Sequence, residues 1–227
     1  MENILFIVPA RSGSQGIKDK NIVFWKGKRL IMHTYDFLIK KNINVKNICI
    51  STDSDNYIDI LQKEGINKYC FIKRPKCIAE DIVVDYPVVL HSWSIKEEIE
   101  DKKFDYIAIM RPTSPIRPDN IIEKGIELLN KNPSFSSVRA MRKVKEHPFR
   151  VWKSDDGNFV EPLINNVFEP GNIPRQKLSK KYYYQSGELE IIKRSTLQLG
   201  SVSGPKVGII EIDETNVDID SKDDLKY

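Results

Sequence analysis

Two glycines, two serines and three cationic residues lie together in residues 9–21, which read PARSGSQGIKDKN. The small residues let backbone N–H groups converge on an anion, and Arg11, Lys18 and Lys20 place positive charge around it. The segment has neither the G-x-x-x-x-G-K-[ST] spacing of an ATPase loop nor the G-x-G-x-x-G spacing of a dinucleotide fold. The pattern favours a phosphate-binding turn over a plain connector.

Two carboxylates, Asp218 and Asp220, lie two positions apart near the other end of the chain. On an extended backbone such residues point to one side, which suits a Mg²⁺ ion with oxygen ligands and bound waters. Taken by itself, the segment is more typical of turn and cap residues before Asp223 and Asp224. A magnesium site is the alternative interpretation, and it depends on the rest of the sequence.

Polar residues also follow three later strand-like runs. For residues 51–54 (STDS), helix capping by Ser54 or Asp53 is the favoured interpretation. Residues 74–75 (RP) and 79–81 (AED) follow the next run. Residues 111–117 (RPTSPIR) follow the last one, where two prolines fix the backbone and two arginines flank it.

Strand-like and helix-like segments alternate through the first half of the chain. Strands are predicted at residues 4–8, 47–51, 69–72 and 106–110, and helices at 30–41, 54–65, 86–99 and 118–129. This rhythm predicts an α/β fold, a Rossmann-like, mostly parallel sheet with helices on both faces. Ligands of such sheets gather where the strands end at their carboxyl edge, and the polar segments lie there.

The rhythm changes after about residue 134. A strand is predicted at 136–144, and later strands at 182–192 and 206–212 return to the sheet. Between them, the sequence has four prolines and no long periodic element, which predicts an irregular excursion over residues 140–180. We expect this excursion to serve as a lid or a dimer contact. The whole chain, 1–227, is expected to form a single domain.

Composition excludes several classes of protein. The 227 residues suit one α/β domain, and the net charge of +4 is spread along the chain, which argues against a nucleic-acid surface. The sequence has no long apolar run and no basic, signal-like start, so we expect neither a membrane span nor export. Three cysteines without a CxxC pair favour buried free thiols in the cytoplasm.

In their order and spacing, these segments resemble the CMP-sialic acid synthetase family of cytidylyltransferases, including relatives that activate Kdo and other nonulosonic acids. The resemblance implies the nucleotide-diphospho-sugar transferase type of fold and CMP transfer from CTP to an acidic sugar. It covers nearly the whole chain. The matching blocks are PARxGSxGIxxKN at 9–21, STD at 51–53, RP at 74–75, PTSPIR at 112–117, Arg175-Gln176 and DID at 218–220.

The resemblance also implies roles for individual residues. Asp218 and Asp220 would bind Mg²⁺, and with Arg11 and Lys20 they form the expected catalytic set. Further expected substrate contacts lie in the first loop, at the base edge and around the acceptor. These are Ser12, Gly13, Ser14, Asn21, Arg74, Asp85, Arg111, Arg150, Arg175, Gln176, Ser186 and Glu188.

In the family, cations at the positions of Arg150 and Arg175 face the acid group of the sugar, and arginine suits that task because its planar fork can grip a carboxylate. The resemblance further implies a homodimer, in which the excursion brings cations toward the neighbouring pocket. CTP and an acidic sugar are the expected partners, with neither nucleic acid nor membrane.

Four departures from the family pattern cluster around the inferred acceptor pocket and base edge. Gln15 replaces a usual lysine, Arg111 a usual glutamine, and Asp85 a small hydroxyl residue, while residues 186–190 (SGELE) replace an Asn-Gly-Ala-x-Tyr stretch. An added arginine invites a further anionic or polar group, and the new glutamates could face an amine or several hydroxyls. We therefore hypothesise an unusual, amino-substituted nonulosonic acid as the acceptor.

Two other functions stay open at this point. In one, Arg111 meets a phosphate or phosphonate on the acceptor, within the same type of nucleotidyl transfer. In the other, the chain is a non-catalytic nucleotide-binding relative, an interpretation that rests on Gln15 and the changed 186–190 stretch. The retained cations and carboxylates argue against the second.

Overall fold

A computed structural model describes residues 3–178, 181–212 and 217–226 of the chain. Its main sheet has seven strands, and two short hairpins lie apart from it. In chain order, the strands are β1 (Ile4–Pro9), β2 (Phe24–Trp25), β3 (Lys28–Arg29), β4 (Ile48–Thr52), β5 (Phe71–Lys73), β6 (Tyr106–Ile109), β7 (Ser137–Lys143), β8 (Trp152–Lys153), β9 (Glu161–Pro162), β10 (Tyr183–Lys193) and β11 (Val207–Glu211).

Five α-helices connect these strands in the described residues: α1 (Leu30–Lys40), α2 (Asp55–Lys63), α3 (Asp85–Glu100), α4 (Ile121–Lys131) and α5 (Arg194–Gln198). Short 3₁₀ turns occupy Lys20–Ile22, Val45–Asn47, Lys68–Cys70, Lys76–Ile78, Pro148–Arg150, Pro170–Asn172, Arg175–Lys177 and Asp224–Lys226. In this part of the chain, no helix combines the length and the apolar composition that a membrane span requires.

The main sheet has the strand order β11-β7-β10-β6-β1-β4-β5. Strands β1, β4, β5 and β6 pair in parallel, and so do β7 and β11. Strand β10 lies between β6 and β7 and runs antiparallel to both. The predicted mostly parallel sheet is therefore confirmed, with one reversed strand that sequence periodicity does not reveal.

Each face of the sheet has its own hydrophobic core. Ile4, Phe6 and Val8 of β1 pack with residues of α1, α2 and α4, while Leu5 and Ile7 pack on the other face with residues of α3 and α5. Because both faces are covered, β1 is apolar at every position instead of alternating. Full burial stabilises the folded state by about 1.5–3 kcal/mol for each side chain of this size. This packing holds in place the strand ends that carry the polar segments.

Two elements begin at least two residues later than the sequence predicts. The strand expected from residue 69 begins at Phe71, because Asn67 accepts a hydrogen bond from the Tyr69 amide at 3.0 Å and holds a 3₁₀ turn before it. The helix expected from Pro118 begins at Ile121, whose amide donates to the Pro118 carbonyl at 3.1 Å. In both places a local turn competes with the longer element.

The excursion between β7 and β10 holds the β8–β9 hairpin and three 3₁₀ turns in its described part, since residues 179 and 180 lie outside the described residues. Apolar side chains here are exposed: Trp152, Phe159, Val160, Leu163 and Phe168 are all at least half accessible. The excursion itself was predicted, whereas the hairpin was not. Both of its ends emerge at the edge of the sheet where the polar segments meet.

Candidate active site

A cleft opens where β1, β5 and β6 end. It brings together the first loop, the segment after β5 and the rigid turn after β6, as the sequence predicts from the fold rule for parallel sheets. Predicted site residues in its lining are Arg11, Ser14, Lys20, Asn21, Arg74, Asp85 and Arg111, and Gln15, Gly16, Glu80, Asp81 and Thr113 lie beside them.

The first loop is held by the neighbouring strand. Asp53, just beyond β4, accepts hydrogen bonds from the Ser12 amide and the Ser12 hydroxyl, both at 2.7 Å. Although burial opposes ionisation of Asp53, these bonds lower the pKa of its carboxyl. Asn21, buried at the end of the loop, donates to the Arg11 carbonyl at 2.9 Å. Asp53 therefore anchors the loop, while Ser54 caps α2 by accepting a hydrogen bond from the Tyr57 amide.

Asp81 links the two loops that border the cleft. Its carboxylate forms an ion pair with Arg11 and accepts a hydrogen bond from Gln15 Nε2 at 2.5 Å. Gln15, which stands where a lysine is usual, thus contributes a neutral donor to the same carboxylate. Arg11 and Asp81 remain about one-third accessible, at 29% and 38%, so a polyanion can reach them.

The segment 217–220 returns to the first loop from the far end of the chain. The Ile219 amide donates to the Thr113 carbonyl at 2.8 Å, and the Ser114 hydroxyl donates to Asp218 Oδ1 at 3.1 Å. Lys20 Nζ lies 2.7 Å from Asp220 Oδ1. The cationic loop and the two carboxylates therefore converge, although 200 residues separate Lys20 from Asp220.

Gly16 shows how closely these two segments approach. A Cβ atom at this position would lie 2.7 Å from the Asp220 carbonyl oxygen, which is inside van der Waals contact. Glycine is required here because any side chain would push the carboxylate-bearing segment away from the loop. The close approach explains why a glycine, and not only a small residue, stands at the end of the loop pattern.

The chemistry of the two carboxylates fits a divalent cation. Burial and, secondly, the charge of Asp220 raise the pKa of Asp218, so a positive ion between them would remove an unfavourable interaction. Among the residues described, no cluster of three or more His, Cys, Asp or Glu side chains could hold a metal ion. Two carboxylates alone match Mg²⁺, which keeps several waters and takes further oxygen ligands from substrate phosphates.

Arg74 forms part of the cleft wall nearest to β4. Its side chain is 4% exposed and donates from Nε to the Ser51 hydroxyl at 3.1 Å and from Nη2 to the Ser51 carbonyl at 3.0 Å. Burial lowers the pKa of this guanidinium, and the charge of Asp53 partly opposes that change. Arg74 is therefore a fixed wall residue whose orientation is set by β4.

Arg111 lies between two carboxylates. It forms ion pairs with Asp85 at 2.6 Å and with Glu190, which is fully buried. Burial alone would lower the pKa of Arg111, but Glu190 and Asp85 raise it above its ordinary value. Arg111 and Asp85 thus belong to the cleft as predicted, and the charge of the arginine is already balanced within the protein.

Ser186 and Glu188 lie in β10 and are 4% and 0% exposed, respectively. Glu188 forms an ion pair with Arg142, so it is directed into the protein and not toward an acceptor amine. The expectation that the new glutamates face the acceptor is therefore corrected: Glu188 balances the buried Arg142, and Glu190 balances the partly buried Arg111 and Arg139. Within the described chain, neither Ser186 nor Glu188 belongs to the cleft lining.

Arg150 and Arg175 lie together, but in a second cavity. Gln176 is exposed in the same 3₁₀ turn as Arg175. The structure therefore groups these expected sugar contacts with one another in the excursion and not with Arg11 and Lys20 in the first cleft. The second cavity is lined by Lys143, Val144, Lys145, Glu146, His147, Arg150, Arg175, Leu178, Lys181 and Tyr182.

Three residues that contact the site were missed by sequence reasoning: Asp53, Asp81 and Ser114. Asp53 was expected as a possible helix cap, Asp81 was noted only as part of a polar segment, and Ser114 as part of a rigid turn. Their partners, Ser12, Arg11 and Asp218, are far away in sequence, so spacing alone gave no signal.

A mostly parallel sheet with a cationic, glycine-containing loop and two carboxylates at its ligand edge defines an α/β nucleotide-binding enzyme. A family model described as cytidylyltransferase matches residues 5–150. The chain therefore belongs to the cytidylyltransferase family, which confirms the resemblance seen in its sequence.

Named relatives agree with this assignment. The chain is similar to post-translational flagellin modification protein B of Campylobacter coli, with 31% identity over 100% of this chain and 93% of that protein. It is also 31% identical to CMP-N,N'-diacetyllegionaminic acid synthase of Campylobacter jejuni, again over 100% and 93% of the two chains. It is 28% identical to an N-acylneuraminate cytidylyltransferase of Streptococcus agalactiae over 96% of this chain, which spans about half (51%) of that protein.

Two solved structures share the fold. A CMP:2-keto-3-deoxy-manno-octonic acid synthetase solved with CTP has a TM-score of 0.66 and 14% identity, covering 99% of this chain and 96% of that one. A 4-diphosphocytidyl-2C-methyl-D-erythritol synthase from Anaerococcus prevotii has a TM-score of 0.59 and 15% identity, covering 99% and 95%. At such identities the likeness concerns the fold alone.

Proposed function

We propose that this protein transfers CMP from CTP to an acidic, nonulosonic sugar and releases pyrophosphate. The observation that supports the proposal is the 2.7 Å contact of Lys20, in the cationic glycine loop that lines the cleft, with Asp220 of the carboxylate segment. The relatives named for N-acylneuraminate and for CMP-N,N'-diacetyllegionaminic acid support the choice of acceptor class.

The first loop would hold the triphosphate. Ser14 and the backbone N–H groups around it supply hydrogen bonds, while Arg11 and Lys20 supply positive charge. Both cations are paired with carboxylates, Asp81 and Asp220, so the incoming phosphates replace these partners. Arg11 and Lys20 are thus each paired with a carboxylate before CTP binds and with a phosphate afterwards.

Asp218 and Asp220 would hold a Mg²⁺ ion, which when bound neutralises phosphate charge. The acceptor hydroxyl oxygen forms a bond to the α-phosphorus as the bond to the pyrophosphate oxygen breaks, and the hydroxyl proton passes to solvent. Most of the rate enhancement in such a transfer comes from positioning and from charge neutralisation. Ser114 and Asn21 position, respectively, a carboxylate and the phosphate loop.

We also propose that two copies of the chain associate through the excursion. Exposed apolar side chains in residues 152–168 form a surface of the kind that a protein partner covers. Association would place the cations of the second cavity, Arg150 and Arg175, near the cleft of the other copy. The double variant Phe159→Ser/Phe168→Ser is expected to sediment as a monomer. A double variant at equally exposed residues elsewhere, Ile99→Ser/Leu199→Ser, should sediment like the parent protein.

The cytoplasm is the compartment that we propose. All three cysteines are free: Cys49 and Cys70 are buried as expected, whereas Cys77 is exposed. Burial raises the pKa of Cys49 to about 12 and that of Cys70 to about 11, so both stay protonated and unreactive. Free thiols of this kind are typical of a reducing compartment.

Incubation with CTP, Mg²⁺ and a panel of acidic sugars tests the proposed function. We expect pyrophosphate release that depends on both Mg²⁺ and the sugar, with a product whose mass equals the sugar plus CMP less one water. Release only with phosphorylated or phosphonate acceptors would replace the proposal with that alternative. Tight CTP binding without release for any acceptor would indicate a non-catalytic relative.

A further inference from the structure

Four charged side chains form a cluster at the wall of the cleft. Arg111 pairs with Asp85 at 2.6 Å and with Glu190, and Arg139 pairs with Glu190 at 2.8 Å. We refer to Asp85, Arg111, Arg139 and Glu190 as the Arg111 cluster. It joins the start of α3, the turn after β6 and the reversed strand β10.

The formal charge of the Arg111 cluster is zero, since two arginines face two carboxylates. Glu190 is 0% exposed and forms an ion pair with each arginine. Loss of these partners would leave a buried carboxylate uncompensated, at a large cost in free energy. Arg74 is close enough to stabilise the charge of Asp85, but it is almost fully buried and donates to Ser51. An anion that approaches Arg111 therefore meets the Asp85 carboxylate at the same place.

What the cluster presents to the cleft is a donor beside an acceptor. The Arg111 side chain is 23% exposed and that of Asp85 is 42% exposed, while their partner Glu190 is hidden. A guanidinium carries five N–H donors and a carboxylate accepts at both oxygens, so each has capacity beyond their mutual bond. An uncharged group with its own donor and acceptor, such as an amide or a pair of neighbouring hydroxyls, complements this arrangement.

The cluster lies next to the place where transfer would occur. Arg111 begins the turn whose Thr113 and Ser114 contact the segment of Asp218. Gly187 of β10 packs against the same turn: a Cβ there would lie 2.5 Å from the Ser114 hydroxyl and 3.4 Å from Arg111 Cβ. The donor–acceptor pair is thus held at a fixed distance from the proposed metal carboxylates.

We propose that the Arg111 cluster determines acceptor specificity, by binding an uncharged amide or diol group of the sugar and rejecting a second anionic group. This inference rests on the proposed function and deepens it. It differs from the expectation that an added arginine attracts a further anion, because the structure shows that Asp85 and Glu190 already balance that arginine.

The first experiment compares two acceptors that differ by one anionic group. Pyrophosphate release is measured with an N-acylated nonulosonic acid that the enzyme uses and with a phosphorylated derivative of the same sugar. The unmodified enzyme is expected to favour the first by at least about tenfold in kcat/KM, the size of one unbalanced charge contact at a partly solvated site.

The second experiment removes the exposed carboxylate. Asp85→Asn leaves a hydrogen-bonding side chain of the same size but gives the cluster a positive charge, so the preference should fall by about tenfold through a lower KM for the phosphorylated sugar. Asp36→Asn is the matched control, because it changes the net charge by the same amount at a residue that does not line the cleft. Asp36 is similarly exposed, at 47%, and pairs with Lys28. Its acceptor preference should stay at the parent value.

The outcomes separate this inference from the proposed function. Release with neither sugar nor any other acidic sugar would contradict both. Release with equal kcat/KM for the two sugars, or a preference for the phosphorylated one, would contradict the inference alone. An unchanged acceptor preference in Asp85→Asn would likewise overturn it, whatever the thermal stability of the variant. The ratio between two acceptors is the informative quantity, since a purely structural role of Asp85 does not alter it.

Discussion

Replacement of Asp53 by alanine tests whether β4 holds the first loop ready for CTP. The carboxylate accepts two bonds of 2.7 Å from Ser12. Hydrogen bonds to a charged group are worth about 1.5–3 kcal/mol each when buried, and partial exposure here lets water replace part of that. A combined loss of about 2 kcal/mol corresponds to about 30-fold. Apparent affinity falls in proportion to the fraction of molecules whose first loop is in the binding conformation, so CTP should bind about 30-fold more weakly.

The asparagine variant sharpens this prediction. An amide can accept from the Ser12 N–H through its oxygen and donate to the Ser12 hydroxyl through its nitrogen, so both contacts of Asp53→Asn persist as weaker, neutral bonds. We expect a decrease in CTP affinity of only about threefold to tenfold for this variant. The order of affinities should therefore be parent, asparagine variant, alanine variant.

Titration calorimetry with CTP and Mg²⁺ gives these affinities directly. Asp55→Ala is the matched control, since Asp55 lies two positions further on, is 83% exposed and pairs with Lys73 instead of the loop. It should bind CTP like the parent. The reasoning is refuted if Asp53→Ala binds CTP as tightly as Asp55→Ala, or if the asparagine variant is weaker than the alanine variant.

Three further predictions concern the convergence of the loop with the carboxylates. Asp218→Asn keeps the hydrogen bond from Ser114 but loses the negative charge. Mg²⁺-dependent pyrophosphate release should therefore fall about 100-fold, while the circular dichroism spectrum stays unchanged. Normal turnover would remove Asp218 from the mechanism. Asp220→Asn should reduce release similarly, and restoration by excess Mg²⁺ would distinguish weaker metal binding from a lost structural contact. Gly16→Ala should lower turnover about 10- to 100-fold, because its methyl group would displace the Asp220 backbone; unchanged kinetics would show that the contact is not needed.

The sheet was largely predictable because burial on both faces leaves a plain record in sequence. The unbroken apolar run of β1 and the capping serine of α2 each followed from local physical chemistry. The meeting of the first loop with the aspartates near the other end was implied by the family resemblance and not by the fold rule for strand ends. The direction of β10 was not predicted, because antiparallel and parallel strands differ in pairing and not in composition.

The charge pairs of the site could not be predicted in the same way. Glutamates at alternate positions in β10 are typical of an exposed strand face, yet Glu188 and Glu190 are fully buried. Their burial depends on Arg142 and Arg139 of the adjacent strand β7, and only the three-dimensional pairing shows it. For the same reason, Arg111 looked like an anion receptor until its two partners were seen.

Reversal of β10 means that the excursion leaves and re-enters the sheet at neighbouring points. The Val144 amide donates to the Tyr182 carbonyl at 2.9 Å, and Tyr183 lies opposite Lys143. Since the intervening residues are joined at their base like the stem of a hairpin, their length and composition can change without disturbing strand register or the cleft. The fold thus carries the excursion on a fixed stem, so that the surface and the cations it would offer to a second copy can vary while the strands beneath the cleft keep their pairing.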